Sequence, residues 1–250
     1  MTAKESPAGS SLSTAVVAPR VTRLRENTLL FSFTDDHSKA PELILQKRVW
    51  ALAAWLEERR ESLGLLEIVP GMGNLLLSTA VQSVGACSTR DSAGIFDLDS
   101  LSDQILILWP TLASTDIKGR TIEIPVIYGG DAGPDLKEVA AHTGLSPDDI
   151  IARHCAGEYR VYCLGFQPGF AYLGGLDAAL ATPRRATPRL VIPAGSVAIG
   201  GSQTAVYPST TPGGWQIIGH SVLKMFDPEQ VQPSLLMPGD LVRFINMGGS

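Results

Sequence analysis

VIPAGSVAIGGSQTAVYP, Val191 to Pro208, sets short apolar runs between glycines and prolines, with Val197 to Ile199 as a strand and the flanking glycines as tight strand corners. The same punctuation continues on both sides. Val161 to Leu164, Leu190 to Ile192, Ile217 and Ile218, Val222 to Phe226 and Leu241 to Ile245 are apolar runs separated by Gly and Pro at the spacing of a barrel or sandwich. Gly195 to Ser202 also matches a phosphate-binding loop, except that Gly201 stands where the lysine belongs. Without that charge, and with strands rather than a helix to follow, the glycines are better explained as strand corners than as a nucleotide cradle.

Upstream the pattern mixes strands and helices. Two short runs from Val21 to Phe33 flank Glu26 and Asn27 as a hairpin. Ser38 is placed to cap a helix with Pro41 in its first turn, whose face is Leu45, Val49, Leu52, Ala53 and Leu56 and which ends at Gly64. Leu65 to Val69 and Leu75 to Thr79 form two further strands across a Gly/Pro turn, and Leu101, Ile105 and Leu108 mark a second helix before Pro110. This order suits an α+β two-layer sandwich over residues 20–115. The remaining chain, 116–250, is mainly β. It opens with a strand at Ile122 to Val126 and two short helices, Asp135 to His142 and Pro147 to His154, the second carrying an acidic capping box at Ser146 and Asp149. Residues 1–19, rich in Ser, Ala and Pro, are expected to be a disordered leader.

Composition narrows the function. A hydrophobic fraction of 44% and a charged fraction of 18% over 250 residues describe a folded chain of two modest domains. The net charge of -5, with no basic run, argues against nucleic acid. Three cysteines without a Cys-x-x-Cys pair suggest neither a disulfide framework nor structural zinc, and the absence of a signal peptide or membrane span leaves a cytoplasmic protein as the expectation. The four histidines are too scattered for a metal cluster, and no metal is expected. His154 beside Cys155 is read as a helix-terminal histidine favoured by the dipole rather than as half of a nucleophile pair.

Three loops carry the candidate chemistry. LGFQPGFAYLGGLD, Leu164 to Asp177, places Phe166, Phe170 and Tyr172 among glycines that let a ligand approach the backbone. TPRRATPR, Thr182 to Arg189, holds Arg184, Arg185 and Arg189 in a proline-stiffened loop able to clamp carboxylate or phosphate. Gln203, Thr204 and Tyr207, with Trp215 of PGGWQIIGH, again set polar or aromatic groups on Gly/Pro turns. Three such loops in one domain favour a shared small-molecule site over independent plugs and turns.

Together with YGGDAGPDL (Tyr128 to Leu136) and MPGDLVRF (Met237 to Phe244), these segments resemble the KipI / 5-oxoprolinase B-subunit family, also called allophanate hydrolase subunit 1, across nearly all of Ile122 to Ile245. The resemblance is weaker over Val21 to Thr79, where Met72 and Gly73 replace an aromatic and a polar or basic residue. It implies an N-terminal α+β domain and a C-terminal cyclophilin-like β-barrel. It also implies a complex with two partners, a carboxyltransferase-like C subunit plus an A subunit, that opens 5-oxoproline to L-glutamate with ATP as co-substrate. On that basis Arg184 and Arg189 are assigned to neutralising charge, with Gln203 beside them as a catalytic candidate and Thr204 as a second hydrogen-bonding group. Phe170, Tyr172, Tyr207 and Trp215 are assigned to the pocket wall. His220 joins them on the substrate side, a titratable group where the family pattern has arginine. Two alternatives follow from the same resemblance: a protein-binding inhibitor of a histidine kinase, and a carboxyltransferase component acting on urea or a related amide.

Overall fold

Alternation builds the first unit. In the computed structural model, which describes residues 18–35, 40–80, 98–114 and 117–248, β1 (Arg20–Arg25), β2 (Thr28–Ser32), β3 (Leu65–Pro70) and β4 (Asn74–Thr79) form an antiparallel sheet in the order β1-β2-β4-β3. Leu29 pairs with Leu77 and Phe31 with Leu75, so four apolar side chains point to one face. Against that face lie Val49, Leu52 and Leu56 of α1 (Leu43–Glu57) and Leu101 and Ile105 of α2 (Leu98–Leu108), in one core with Trp109. Helix α1 departs from expectation at both ends. Glu42 is its N-cap, so Pro41 precedes the helix instead of occupying its first turn, and turns fill the interval between Glu58 and Gly64. Ser38, most of the expected leader and the centre of the expected domain boundary lie outside the described residues.

The second unit closes on itself. β5 (Thr121–Tyr128), β6 (Tyr159–Leu164), β7 (Ala171–Gly174), β9 (Ser196–Gly200), β10 (Gln203–Val206), β12 (Gln216–His220) and β13 (Leu241–Asn246) make a closed barrel in the order β10-β7-β6-β13-β5-β12-β9. Only β13 and β5 run parallel. A separate ribbon, β8 (Arg189–Ile192) with β11 (Thr211–Gly213), lies outside it. Closure leaves no free barrel edge, which removes the usual route to edge-to-edge association. The phosphate-loop-like stretch is the β9–β10 hairpin, with Gly201 at φ 63 in its turn.

Strand parity divides this barrel into two apolar sets. Val197, Ile199, Val206, Ala171, Leu173 and Ile218 point inward and meet Val242 and Phe244 of β13. Leu136 and Val139 of α3 (Leu136–Thr143) and Ile150 of α4 (Pro147–Ala156) join the same core. Ala198, Ala205, Ile217 and Tyr172 face the other way, towards the ribbon. The interior is therefore a packed core, and the outer face is available for a site. Ser146 caps α4 by accepting the Asp149 N–H at 3.1 Å, but the reciprocal arm differs: Asp149 accepts from the Ser146 hydroxyl at 2.7 Å.

Val222 to Phe226, expected as a strand, is not one; Val222 is exposed and Phe226 makes an isolated bridge to Ser234. The barrel has no place for it, because β12 is already paired with β5 and β9 on its two edges. The two units touch through buried polar groups. The Gln46 side-chain amide donates to Tyr162 O at 3.4 Å and the Trp50 indole N–H donates to the same carbonyl at 2.9 Å, while within the first unit Gln46 also donates to Gly71 O and accepts from Gly73 N–H, both at 3.0 Å. No helix among the described residues is long and apolar enough to cross a membrane.

Candidate functional site

The outward set continues into an aromatic cluster. Tyr172 leaves β7 on the outer face, Tyr207 follows β10 at the parity of Ala205, and Trp215 precedes β12 at the parity of Ile217. Phe170 sits in their midst, edge-on to Tyr172 (5.0 Å between centroids), Tyr207 (5.4 Å) and Trp215 (5.7 Å). Such T-shaped contacts place positive ring edges against negative faces. Trp215 can lie against the barrel wall because position 200 is glycine: a Cβ there would fall 2.4 Å from the indole ring. Burial raises the phenols of Tyr172 and Tyr207 above their ordinary values, so both remain protonated donors at neutral pH.

These rings floor a cavity of about 150 Å³, completed by Phe166, Arg184, Pro212, Gly213 and Gly214. It is well below the ~300 Å³ at which drug-sized pockets begin, which suits a small ligand. Sequence reasoning thus located Phe170, Tyr172, Tyr207, Trp215 and Arg184 together. The Arg184 guanidinium carbon stands 5.7 Å from the Trp215 ring centre, within cation–π reach.

Its neighbours in the loop are committed elsewhere. Asp135, at the start of α3 and almost fully buried, accepts Arg189 in bidentate fashion (Nη1 to Oδ2 2.7 Å, Nη2 to Oδ1 2.6 Å) and Arg185 Nη1 at 2.9 Å. It also accepts the Ile217 N–H at 2.7 Å, while Arg185 reaches Glu138 at 2.8 Å. The hydrogen bonds to Asp135 raise the Arg189 pKa further above its ordinary value. Arg189, expected to meet substrate charge, instead ties the arginine loop to α3 and β12. Among the described residues Arg184 is the cation of this loop without a carboxylate partner. Sequence reasoning missed Asp135, although a carboxylate in YGGDAGPDL ahead of a three-arginine loop was the available signal.

The other expected residues fall outside the cavity. Thr204 has inward parity and is fully buried, donating to Ala198 O at 3.1 Å and meeting His154 Nε2 at 2.9 Å. With its hydroxyl proton engaged, Thr204 accepts from Nε2–H, which leaves His154 Nδ1 to accept from the Tyr128 hydroxyl at 2.7 Å. His154 is consequently a neutral core residue, its pKa pushed down by burial to about 3, and not a surface cation on a helix dipole. Gln203 donates across the unit junction to Met72 Sδ. His220 lies at the far end of β12 from Trp215, roughly 16 Å along the strand, and contacts Ala194 O at 2.9 Å.

Residues 19–236 match the model of the carboxyltransferase domain, subdomain C and D. The chain is 47% identical over 203 residues to the 5-oxoprolinase B subunit of Escherichia coli O157:H7, covering 81% of this chain and 86% of that protein. It is 46% identical over 203 residues to the 5-oxoprolinase B subunit of Haemophilus influenzae, covering 81% and 88%. Among solved structures, TTHA0988 superposes with a TM-score of 0.67 at 37% identity over 90% of this chain, which spans only 40% of that longer protein. The matched span and these identities place the chain in the KipI / 5-oxoprolinase B-subunit family.

Proposed function

We propose that this chain is the B subunit of an ATP-dependent 5-oxoprolinase, working in the cytoplasm with a carboxyltransferase-like C subunit, plus an A subunit, to open 5-oxoproline to L-glutamate. The observation that carries the reading is the aromatic cavity with Arg184 at its mouth. The substrate is a small, nearly flat lactam bearing one carboxylate. Its ring fits against Trp215 and Tyr172, and its carboxylate pairs with Arg184, the loop cation that Asp135 leaves free. The two described cysteines, Cys155 and Cys163, are free thiols, which suits a reducing compartment.

ATP does not fit the residues described here. A triphosphate needs several convergent donors, whereas Arg185 and Arg189 are neutralised by Asp135 and the GSVAIGGS stretch is a hairpin rather than a strand–loop–helix cradle. The phosphoryl chemistry therefore belongs to the partner proteins, and this chain binds and orients the lactam. On this view Gln203, bonded to Met72, holds the β9–β10 hairpin against the N-terminal unit rather than touching substrate.

The test is the purified chain combined with its presumed partners, ATP and 5-oxoproline, with glutamate followed over time. A well-folded complex that releases no glutamate sinks the reading. The 5-oxoprolinase relatives favour it over the urea-directed alternative.

A further inference from the structure

Phe166 is the one non-glycine residue with positive φ among the described residues, at 67°. It is the central residue of a tight turn closed by Gln167 N–H donating to Gly165 O at 2.7 Å, a γ-turn of the rare, strained hand. A bulky aromatic there is a genuine outlier. The surrounding loop holds it in place: Gly165 N–H donates to Phe170 O, Phe170 N–H donates back to Gln167 O, and the Gln167 side chain accepts from Ser209 at 3.0 Å.

Folding gains little from the ring. Phe166 is 62% exposed, and its ring meets that of Phe170 edge-on at 5.4 Å. A strained backbone that keeps a large apolar side chain in water is not explained by packing, and strain of this kind collects at ligand clamps. The ring lines the cavity mouth with Arg184.

We infer that Phe166 is a substrate-contacting residue that covers the apolar ring of the bound lactam while Arg184 takes its carboxylate, making it a determinant of specificity for a cyclic acid over the open-chain product. This inference rests on the reading of the cavity as the 5-oxoproline site. Glutamate carries an ammonium and a second carboxylate, both of which lose hydration against an aromatic wall.

The test compares complexes assembled with wild-type, Phe166→Ala and Phe166→Gly chains, recording KM and kcat for 5-oxoproline together with the Tm of each isolated chain. Losing the ring is expected to raise KM about tenfold in both variants with kcat within about twofold. Glycine occupies positive φ freely and alanine does not, so Phe166→Gly is expected to melt above Phe166→Ala. Wild-type KM in both variants, or a rise confined to the glycine variant, overturns the inference, as does a glycine variant that melts below the alanine one. If the wild-type complex itself makes no glutamate, the functional reading falls and the inference falls with it; an active wild type with unaltered variants removes the inference alone.

Discussion

Replacing Asp135 with asparagine tests whether the arginine loop is held electrostatically. The side chain keeps its shape and one acceptor oxygen, but loses the charge shared by Arg185 and Arg189, whose side chains are 27% exposed. Breaking a buried ion pair from one side costs about 3–5 kcal/mol. Partial exposure of both arginines and the surviving Arg185–Glu138 contact place this case at the lower end, ~3 kcal/mol. For a chain of this size that corresponds to a fall in Tm of about 6–12 °C, read by calorimetry. The functional consequence is separate. Arg185 N–H also donates to Gly214 O at 2.7 Å, so loosening the loop displaces Arg184 relative to Trp215, and KM for 5-oxoproline is expected to rise more than kcat falls. In a double-mutant cycle with Arg189→Ala, coupling of about 1 kcal/mol or more is expected, within the ~0.5–3 kcal/mol seen for contacting residues. A Tm within about 2 °C of wild type, or strict additivity in the cycle, would refute the view that this carboxylate organises the loop.

Three further outcomes follow. Arg184→Ala should raise KM for the lactam by about ten- to a hundredfold, as expected for a lost charge-assisted pair, while leaving Tm within about 1 °C because the side chain has no protein ion-pair partner; unchanged KM would remove it from the site. Gly200→Ala drives a Cβ into the Trp215 ring and should cost about 1–3 kcal/mol through overpacking, with loss of lactam binding; a variant that melts and binds as wild type would show the indole free to move. His154 makes stability acid-sensitive: unfolded, it takes a proton as pH falls below about 6.5, and folded it resists until about 3, so between those values the unfolded state binds more protons and stability drops as pH falls. The slope from this group is about 1.4 kcal/mol per pH unit, and urea titrations of His154→Gln at pH 7 and 4.5 should lack that component; equal acid loss in both proteins would contradict it.

The strands of both units were legible wherever apolar residues alternated or ran between Gly and Pro, as at Leu75 to Thr79 and Val197 to Ile199. They were not legible at Ala171–Gly174 and Gln203–Val206, where short strands lie inside segments whose glycines and polar side chains look like loop. The Val222 to Phe226 run failed for the opposite reason: its apolar character marks contacts of Met225 and Phe226, and barrel closure, a tertiary fact, left it no partner strand. Helix α1 had the predicted face but not the predicted start: Pro41 and Glu42 lie just ahead of the first helical residue, a shift of the one or two positions by which helix ends commonly differ from their sequence signals.

Parity explains why the site itself was half visible. Residue type alone nominates Gln203, Thr204 and Tyr207 equally, yet successive residues of a strand face opposite sides, so Thr204 enters the core beside His154 while Ala205 and Tyr207 turn to the cavity. Loop arginines pose the same difficulty in another form: Arg184, Arg185 and Arg189 are chemically alike, and only the position of one carboxylate from a distant helix decides which stays available. Fixing the barrel register therefore resolves both ambiguities together, because it sets the inward face and carries Ile217 N–H to the Asp135 carboxylate. The residues that stabilise this barrel and those that meet a ligand are neighbours in sequence but lie on opposite sides of the same wall. Substitutions at Tyr172, Tyr207 and Trp215 can consequently retune the cavity without passing through the interior core that Val197, Ile199 and Phe244 maintain.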